Sequence, residues 1–276
     1  FGVVYNNFFK NGFHTLVVSR NMLSNELYKY PDNNEYQPKN FEYNSTEAEN
    51  KFRYELTMRN RGVKYNFSIN AEYGDYYNST FQTIFLNDSL DYINYTTDID
   101  IIKYGFSAQA TKTILKGRLL VSFGIRADGN DYNSAMSNPF NQLSPRLLMS
   151  YAVTDKASLN AGYGRYFQQP AYTTLGYSDN NLLNEDISKY IGVNQYTIGA
   201  EYRFSDKVLL SLEGFYKDYF QYPIDLMTGA SLANQGADYS VAGAAPVTFT
   251  GKGRASGLEV LNRVNLDGFT MLAAYT

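Results

Sequence analysis

The chain has 276 residues, with 27 Tyr, 18 Phe, no Trp, no Cys and a formal net charge of −3. No disulfide framework, thiolate zinc site or cysteine nucleophile can be built. A lone histidine, His14, gives imidazole catalysis little to work with, and the lack of a basic patch argues against nucleic acid as a partner. Mean hydropathy is −0.40. No apolar run reaches the roughly 18 residues of a membrane-spanning helix, but a barrel strand needs only about 9–11 alternating residues.

In chain order, "FGVVYNNFF" opens with a strand-like pattern and runs into a tight-turn signal at Asn11-Gly12. "HTLVVSRNML" follows with a blurred pattern whose faces the alternation does not assign, and a polar stretch covers about 26–48. In "KFRYELTMRN" the alternation is strict: Phe52, Tyr54, Leu56 and Met58 oppose Arg53, Glu55, Thr57 and Arg59. After a turn at Arg61-Gly62, Val63, Tyr65, Phe67, Ile69, Ala71 and Tyr73 oppose Lys64, Asn66, Ser68, Asn70 and Glu72. A second polar stretch, 78–97, precedes a turn at Lys116-Gly117, and a third spans 129–141.

"SYAVTDKASLNAGYGRYF" turns at Asp155-Lys156, and "EYRFSDKVLLSLEGFYKDYF" repeats the plan at Asp206-Lys207. Before that second turn, Tyr196, Ile198, Ala200, Tyr202 and Phe204 oppose Thr197, Gly199, Glu201 and Arg203. Polar stretches at 168–192 and 222–250 flank this second hairpin, and a last turn sits at Asp267-Gly268. Taking Asn11, Arg61, Lys116, Asp155, Asp206 and Asp267 as markers, the spacings are 50, 55, 39, 51 and 61 residues.

Short and long connections therefore alternate through some twelve strands of about a dozen residues each. This predicts an all-β, antiparallel up-and-down transmembrane barrel segment, with short periplasmic turns and long extracellular loops. A propeller repeats in fours and has no reason for this alternation. Backbone groups in lipid must all pair, which only closed hairpin walls achieve among β structures. Tyr202 and Phe204 fit one aromatic girdle, and Tyr163, Tyr166, Phe167, Tyr216, Tyr219 and Phe220 the other.

Three stretches carry a family resemblance. "QLSPRLLMSYAVTDKASLNAGYGRYFQQPAY" (Gln142–Tyr172), "NQYTIGAEYRFSDKVLLSLEGFYKDYFQYP" (Asn194–Pro223) and "GKGRASGLEVL" (Gly251–Leu261) resemble successive barrel blocks of TonB-dependent outer-membrane receptors. The likeness is to carboxypeptidase-regulatory-like and SusC-like relatives in particular. It is strongest over Gln142–Thr276; the first half matches in rhythm only.

The resemblance implies a multi-pass cell outer-membrane protein of a Gram-negative bacterium, part of a barrel of about 22 strands around a plug. It implies partners: outer-membrane lipid, the protein's own plug domain, TonB through an N-terminal region, and a surface lipoprotein or other envelope subunits. Both termini fall within strand-like patterns, so residues 1–276 are expected to form part of one barrel domain, without the plug and the barrel ends.

Candidate substrate contacts lie on the long loops, where recognition concentrates: Gln168, Gln169, Tyr172, Tyr177, Asn180, Asn181, Tyr222 and Tyr239. Their tyrosines look exposed, and Tyr and Asn suit stacking and hydrogen bonding to a glycan, peptide or metal chelate. The bland alternative is an ordinary solvated loop.

"DNNLLNED" and "DIDI" (Asp98–Ile101) carry acidic oxygens but no EF-hand spacing, so solvation is expected there rather than calcium. Charges on the wet faces (Arg53, Glu55, Arg59, Lys64, Glu72, Glu201, Arg203) are expected to pair within the wall. No cofactor, metal site or catalytic residue is expected. The expected function is TonB-coupled import of a scarce solute, with a docking subunit of a larger outer-membrane complex as the alternative. A barrel enzyme is disfavoured by the lone His14 near a turn.

Overall fold

Two-residue alternation commits each segment to a strand whose neighbours share its faces. The computed structural model describes residues 1–86, 89–179, 182–235 and 244–276. Twelve of its strands form one antiparallel sheet in chain order. They are β1 (Gly2–Phe9), β2 (Gly12–Lys29), β3 (Phe41–Asn60), β4 (Val63–Leu86), β5 (Ser89–Ile114), β6 (Leu119–Asn130), β7 (Ser144–Ala152) and β8 (Ala157–Gln168), then β11 (Ile191–Ser205), β12 (Val208–Asp225), β13 (Val247–Leu266) and β14 (Phe269–Tyr275). A separate two-stranded ribbon, β9 (Ser178–Asp179) and β10 (Leu182–Leu183), and two one-turn helices, α1 (Ser134–Ser137) and α2 (Tyr172–Leu175), lie in the loops. Among the described residues β1 and β14 each pair on one side only, and no helix is long and apolar enough to cross a membrane.

All six expected tight turns form, on one rim of the sheet. At Arg61-Gly62 both residues adopt positive φ (48° and 75°), the mirror-image turn whose twist matches that of the flanking strands. At the last turn Gly268 alone takes positive φ, 77°.

Strand register assigns the faces. Phe52 pairs with Ala71, Tyr54 with Ile69 and Leu56 with Phe67, and on β5 Ile69 pairs with Phe106. These apolar side chains form an exposed outer band; Ile198, for example, is 72% accessible. The opposite face carries Arg53, Glu55, Asn70, Glu72, Arg126 and Asp128 and is the wet one. The unassigned segment resolves too. Leu16 and Val18 pair with Tyr54 and Phe52 on the outer band, whereas Val17 lies opposite Arg53 on the wet face.

The strands are longer than expected. β3, β4 and β5 have 20, 24 and 26 residues, so β4 extends about 80 Å at 3.3 Å per residue. A tilted crossing needs only about 9–11 residues, so more than half of the β4–β5 hairpin stands above the lipid. The stretch 78–97, polar enough to suggest a loop, is strand paired up to Leu86–Ser89. Three of the other connections shrink, to 30–40, 169–190 and 226–246, and the fourth shifts by two residues to 131–143 at unchanged length.

The reason is an inversion of the apolar face. Above the band, Tyr76, Ile99 and Ile101 point inward and are buried, while Asp75, Asp98 and Asp100 point outward into water. A second inner core forms there at the mouth, from Tyr76, Ile99, Ile101, Met136, Tyr172, Leu175 and Tyr190.

The outer girdle is narrower than expected. Tyr163, Tyr196 and Tyr216 form one outward row, with ring centroids 5.1 and 6.4 Å apart. Tyr166 and Tyr219 stand three residues on, an odd step in a period of two, and so face inward.

Candidate functional site

Of the seven charges expected to pair on the wet face, five do so among the described ion pairs, and Arg59 and Lys64 do not. Arg53 and Arg203 meet Glu55 and Glu201 two residues along their own strands, at 3.2 and 3.7 Å. Across strands, Lys103 on β5 reaches Glu49 on β3 at 3.1 Å and also Glu72 on β4, while Lys51 bridges Glu49 and Glu72. Arg126 makes a two-pronged contact with Asp128, both bonds 2.6 Å. Three anions and three cations thus balance along a groove of about 460 Å³, which Gln169 and Tyr190 also line.

Two loops fold inward over this groove and are pinned there. Tyr172 opens α2 and stacks on Tyr76, with centroids 5.1 Å apart and planes 10° apart. The Lys103 ammonium sits 4.8 Å from the Tyr172 ring centroid. Gly74 makes the approach possible, since a Cβ there would collide with the Tyr172 hydroxyl. Thr97 donates to the Gly176 carbonyl at 2.5 Å, and Tyr132 to that of Leu175 at 2.7 Å.

Further tethers hold the same loops. Asn130, at the mouth end of β6, donates to the Tyr190 hydroxyl and the Gln169 carboxamide, at 2.9 and 3.2 Å. Asn133 donates to the carbonyls of Glu185 and Ser188. Buried Asn184 donates to the carbonyls of Thr174 (2.7 Å) and Ala245 (2.8 Å) and accepts from the Val247 amide (3.1 Å), tying the 169–190 loop to the start of β13. Burial pushes the phenols of Tyr132, Tyr172 and Tyr190 above their ordinary value; Lys103 works against that at Tyr172.

Of the residues expected to contact substrate, Gln168 ends β8 and is exposed, and Gln169 overhangs the groove. Tyr172 and Tyr177 are buried rather than exposed: the first belongs to the inner core, the second meets Tyr95 edge-on at 5.4 Å. Packing at the foot of a loop claims a ring that loop composition alone would leave in water. Tyr222 is half-buried on β12, beside Tyr219. Asn180, Asn181 and Tyr239 lie outside the described residues.

Alternation and loop composition do not single out Lys103, Asn130, Asn184 or Tyr190. The one signal that leads toward them is Glu72, whose place on the wet face follows from alternation and which anchors Lys103. His14 lies close to its turn, as expected, on the outer face between Tyr5 and Tyr54. Among the described residues no group of three His, Cys, Asp or Glu could hold a metal ion. The arrangement is suited to holding a polar solute by hydrogen bonds and ring faces.

An in-order antiparallel sheet, an apolar outer band, a charged inner wall and tight turns on one rim define the wall of an outer-membrane β-barrel. The family model for the TonB dependent receptor-like β-barrel matches residues 2–276, and the chain belongs to that family, whose members are outer-membrane receptors and transporters rather than enzymes. No curated protein matches the chain.

Several solved structures share the fold at low identity. The copper transporter OprC is 15% identical with a TM-score of 0.68, over 99% of this chain and 46% of that one. FpvA of P. aeruginosa bound to heterologous pyoverdines is 12% identical with a TM-score of 0.65, over 99% and 40%. A mutant of the ferric enterobactin receptor PfeA of Pseudomonas aeruginosa is 19% identical with a TM-score of 0.64, over 97% and 41%. The chain therefore spans less than half the length of these structures.

Proposed function

We propose that residues 1–276 belong to a single barrel domain of a TonB-dependent receptor that captures a scarce solute at its outer mouth and imports it past a plug by TonB-coupled transport. One observation carries this reading: the 131–143 and 169–190 loops are folded inward and pinned over a charge-balanced groove at the mouth. Loops of a docking scaffold have no need to line an interior. The solute is a glycan, a peptide or a metal chelate. The last is supported by relatives whose names include a copper transporter and a receptor for ferric enterobactin.

Gln168, Gln169 and Tyr222 are the proposed contacts from the exposed and half-buried set, with Asn180, Asn181 and Tyr239 on the same loops. Tyr172 and Tyr177 act by positioning those loops. The proposed partners are outer-membrane lipid, the plug, TonB, and a surface lipoprotein or other envelope subunit.

The test is uptake of labelled solutes by cells carrying the full-length receptor, comparing wild type with Gln169→Ala and Tyr222→Ala. Energy-dependent uptake of one solute that falls at least several-fold in these variants supports the proposal. Energy-dependent uptake unaltered in both variants overturns these contacts, and no receptor-dependent uptake of any solute in the panel, with the receptor correctly inserted, favours the docking-subunit alternative.

A further inference from the structure

Deeper in the wall, one register row reads Gln109, Gly124, Arg146, Gly164, Gln195 across β5, β6, β7, β8 and β11. All five positions face the interior. Arg146 therefore stands between two glycines, with no side chain on either flank, and a carboxamide one strand further on each side. The result is a notch of about 220 Å³.

Arg146 belongs to the "SPR" stretch that carries part of the family resemblance, yet the mouth described above does not involve it. Its guanidinium lies 4.5 Å from the centroid of the Tyr166 ring. That ring rests over Gly164, where a Cβ would come within 2.5 Å of the tyrosine hydroxyl and 2.6 Å of the ring. The missing side chain at Gly164 lets Tyr166 lie flat against the wall and hold Arg146 by its face.

Among the described residues the charge at this place has no counterpart. Arg53, Arg126, Arg203 and Lys103 each have a carboxylate partner on the same wall. Among the described residues, the lining of the notch contains no Asp or Glu; apart from Arg146 its polar groups are amides and hydroxyls such as Gln109, Ser122, Gln195 and Thr197. Arg59, Lys64 and Lys217 also lack a partner among the described ion pairs, but the first two flank the Arg61-Gly62 turn at the rim, and Lys217, opposite Gln195 on β12, lies against the Phe215 ring outside the notch. Arg146 instead lines the notch, held on the face of Tyr166.

A guanidinium stacked on a ring keeps its in-plane N–H edge available, and that edge matches a carboxylate with two parallel bonds. One positive charge among neutral donors suits a monoanion better than a phosphate dianion.

We infer that the Arg146–Tyr166 notch is a carboxylate-binding site on the inner wall, filled by a carboxylate of a passing solute or by an acidic side chain of the polypeptide that occupies the barrel. The inference rests on the barrel reading; only the choice between sources touches the transport proposal.

The experiment uses the full-length receptor in nanodiscs as wild type, Arg146→Gln and Tyr166→Phe, with heat-modifiable gel mobility confirming that each barrel is folded. Benzoate is titrated against the arginine Nε–H signals, and hydrogen exchange of the interior polypeptide is followed in parallel. A benzoate-dependent shift of one arginine signal, lost in Arg146→Gln and kept in Tyr166→Phe, supports the site with a solute as source. No such shift, with interior exchange at least tenfold faster in Arg146→Gln, supports the site with the barrel's own filling as source. Neither effect in a folded Arg146→Gln barrel overturns the inference, and it does so whether or not any solute is imported.

Discussion

Truncating Tyr172 to alanine should release the 169–190 loop and leave the barrel intact. The ring is 8% exposed, stacks on Tyr76 and carries the Lys103 ammonium on its face. Losing a buried aromatic side chain costs about 3–5 kcal/mol, and a loop that can settle into the space belongs at the lower end, about 3 kcal/mol. At 1.4 kcal/mol per decade that is a roughly 100-fold rise in local opening. The amides of Thr174, Leu175 and Gly176, which bond back to Ala171 and Tyr172, report it directly.

The assay is hydrogen exchange by mass spectrometry on the nanodisc-embedded receptor, with peptides of β11 and β12 as the unaffected reference. Tyr172→Phe is the matched control. The buried Tyr172 hydroxyl has no partner at hydrogen-bond distance among the described residues, so removing it keeps both ring contacts. Its exchange should equal the wild-type rate or be slower. An alanine variant that exchanges like wild type, or a phenylalanine variant as fast as alanine, would refute the latch.

Three further outcomes follow from the same geometry. Adjacent valines on β2 should respond unequally to arginine. Val18→Arg puts a charge on the lipid band and should cost about 2–4 kcal/mol in urea unfolding from lipid. Val17→Arg should cost no more than about 1 kcal/mol, from the like charge of Arg53 opposite; equal costs would reverse the face assignment. Asn184→Ala strands three backbone partners, two of them buried, and should free the loop by about 3 kcal/mol, read as faster cleavage in 182–190 with β8 and β11 intact. The buried tyrosines make the loop core alkali-sensitive. Their folded pKa values lie above the unfolded value of about 10, so the unfolded form loses protons first and stability is full below that pH. Cleavage in the loop by an alkali-tolerant protease should be flat to about pH 9 and climb as pH rises beyond about 10. A flat profile to about pH 11 would contradict the burial.

The same pleat that makes the membrane part legible conceals the mouth. In β3 and the lower half of β4 the environment differs across the wall, hydrocarbon outside and water inside, so Phe52 against Arg53 or Phe67 against Ser68 states its face unambiguously. Turn chemistry agrees with it at Arg61-Gly62, and two local signals then point to one structure. Above the lipid the outside is water too, and the apolar face goes to whichever side finds a partner. Ile99 and Ile101 therefore turn inward toward Tyr172, Leu175 and Met136.

Those partners lie more than 30 residues away in the chain, on loops whose Tyr, Asn and Ser content suggests a solvent-facing surface. Loop composition marks Tyr172 as a residue of interest, but its exposure depends on Gly74 and Tyr76, which no local pattern connects to it. Arg146 is visible in the sequence only as a letter in a familiar motif. Its meaning comes from the two glycines that register places beside it, one on β6 and one on β8. Local alternation thus determines which way a side chain points, whereas the mouth and the notch arise from cross-strand neighbours, and those exist only once the register is set.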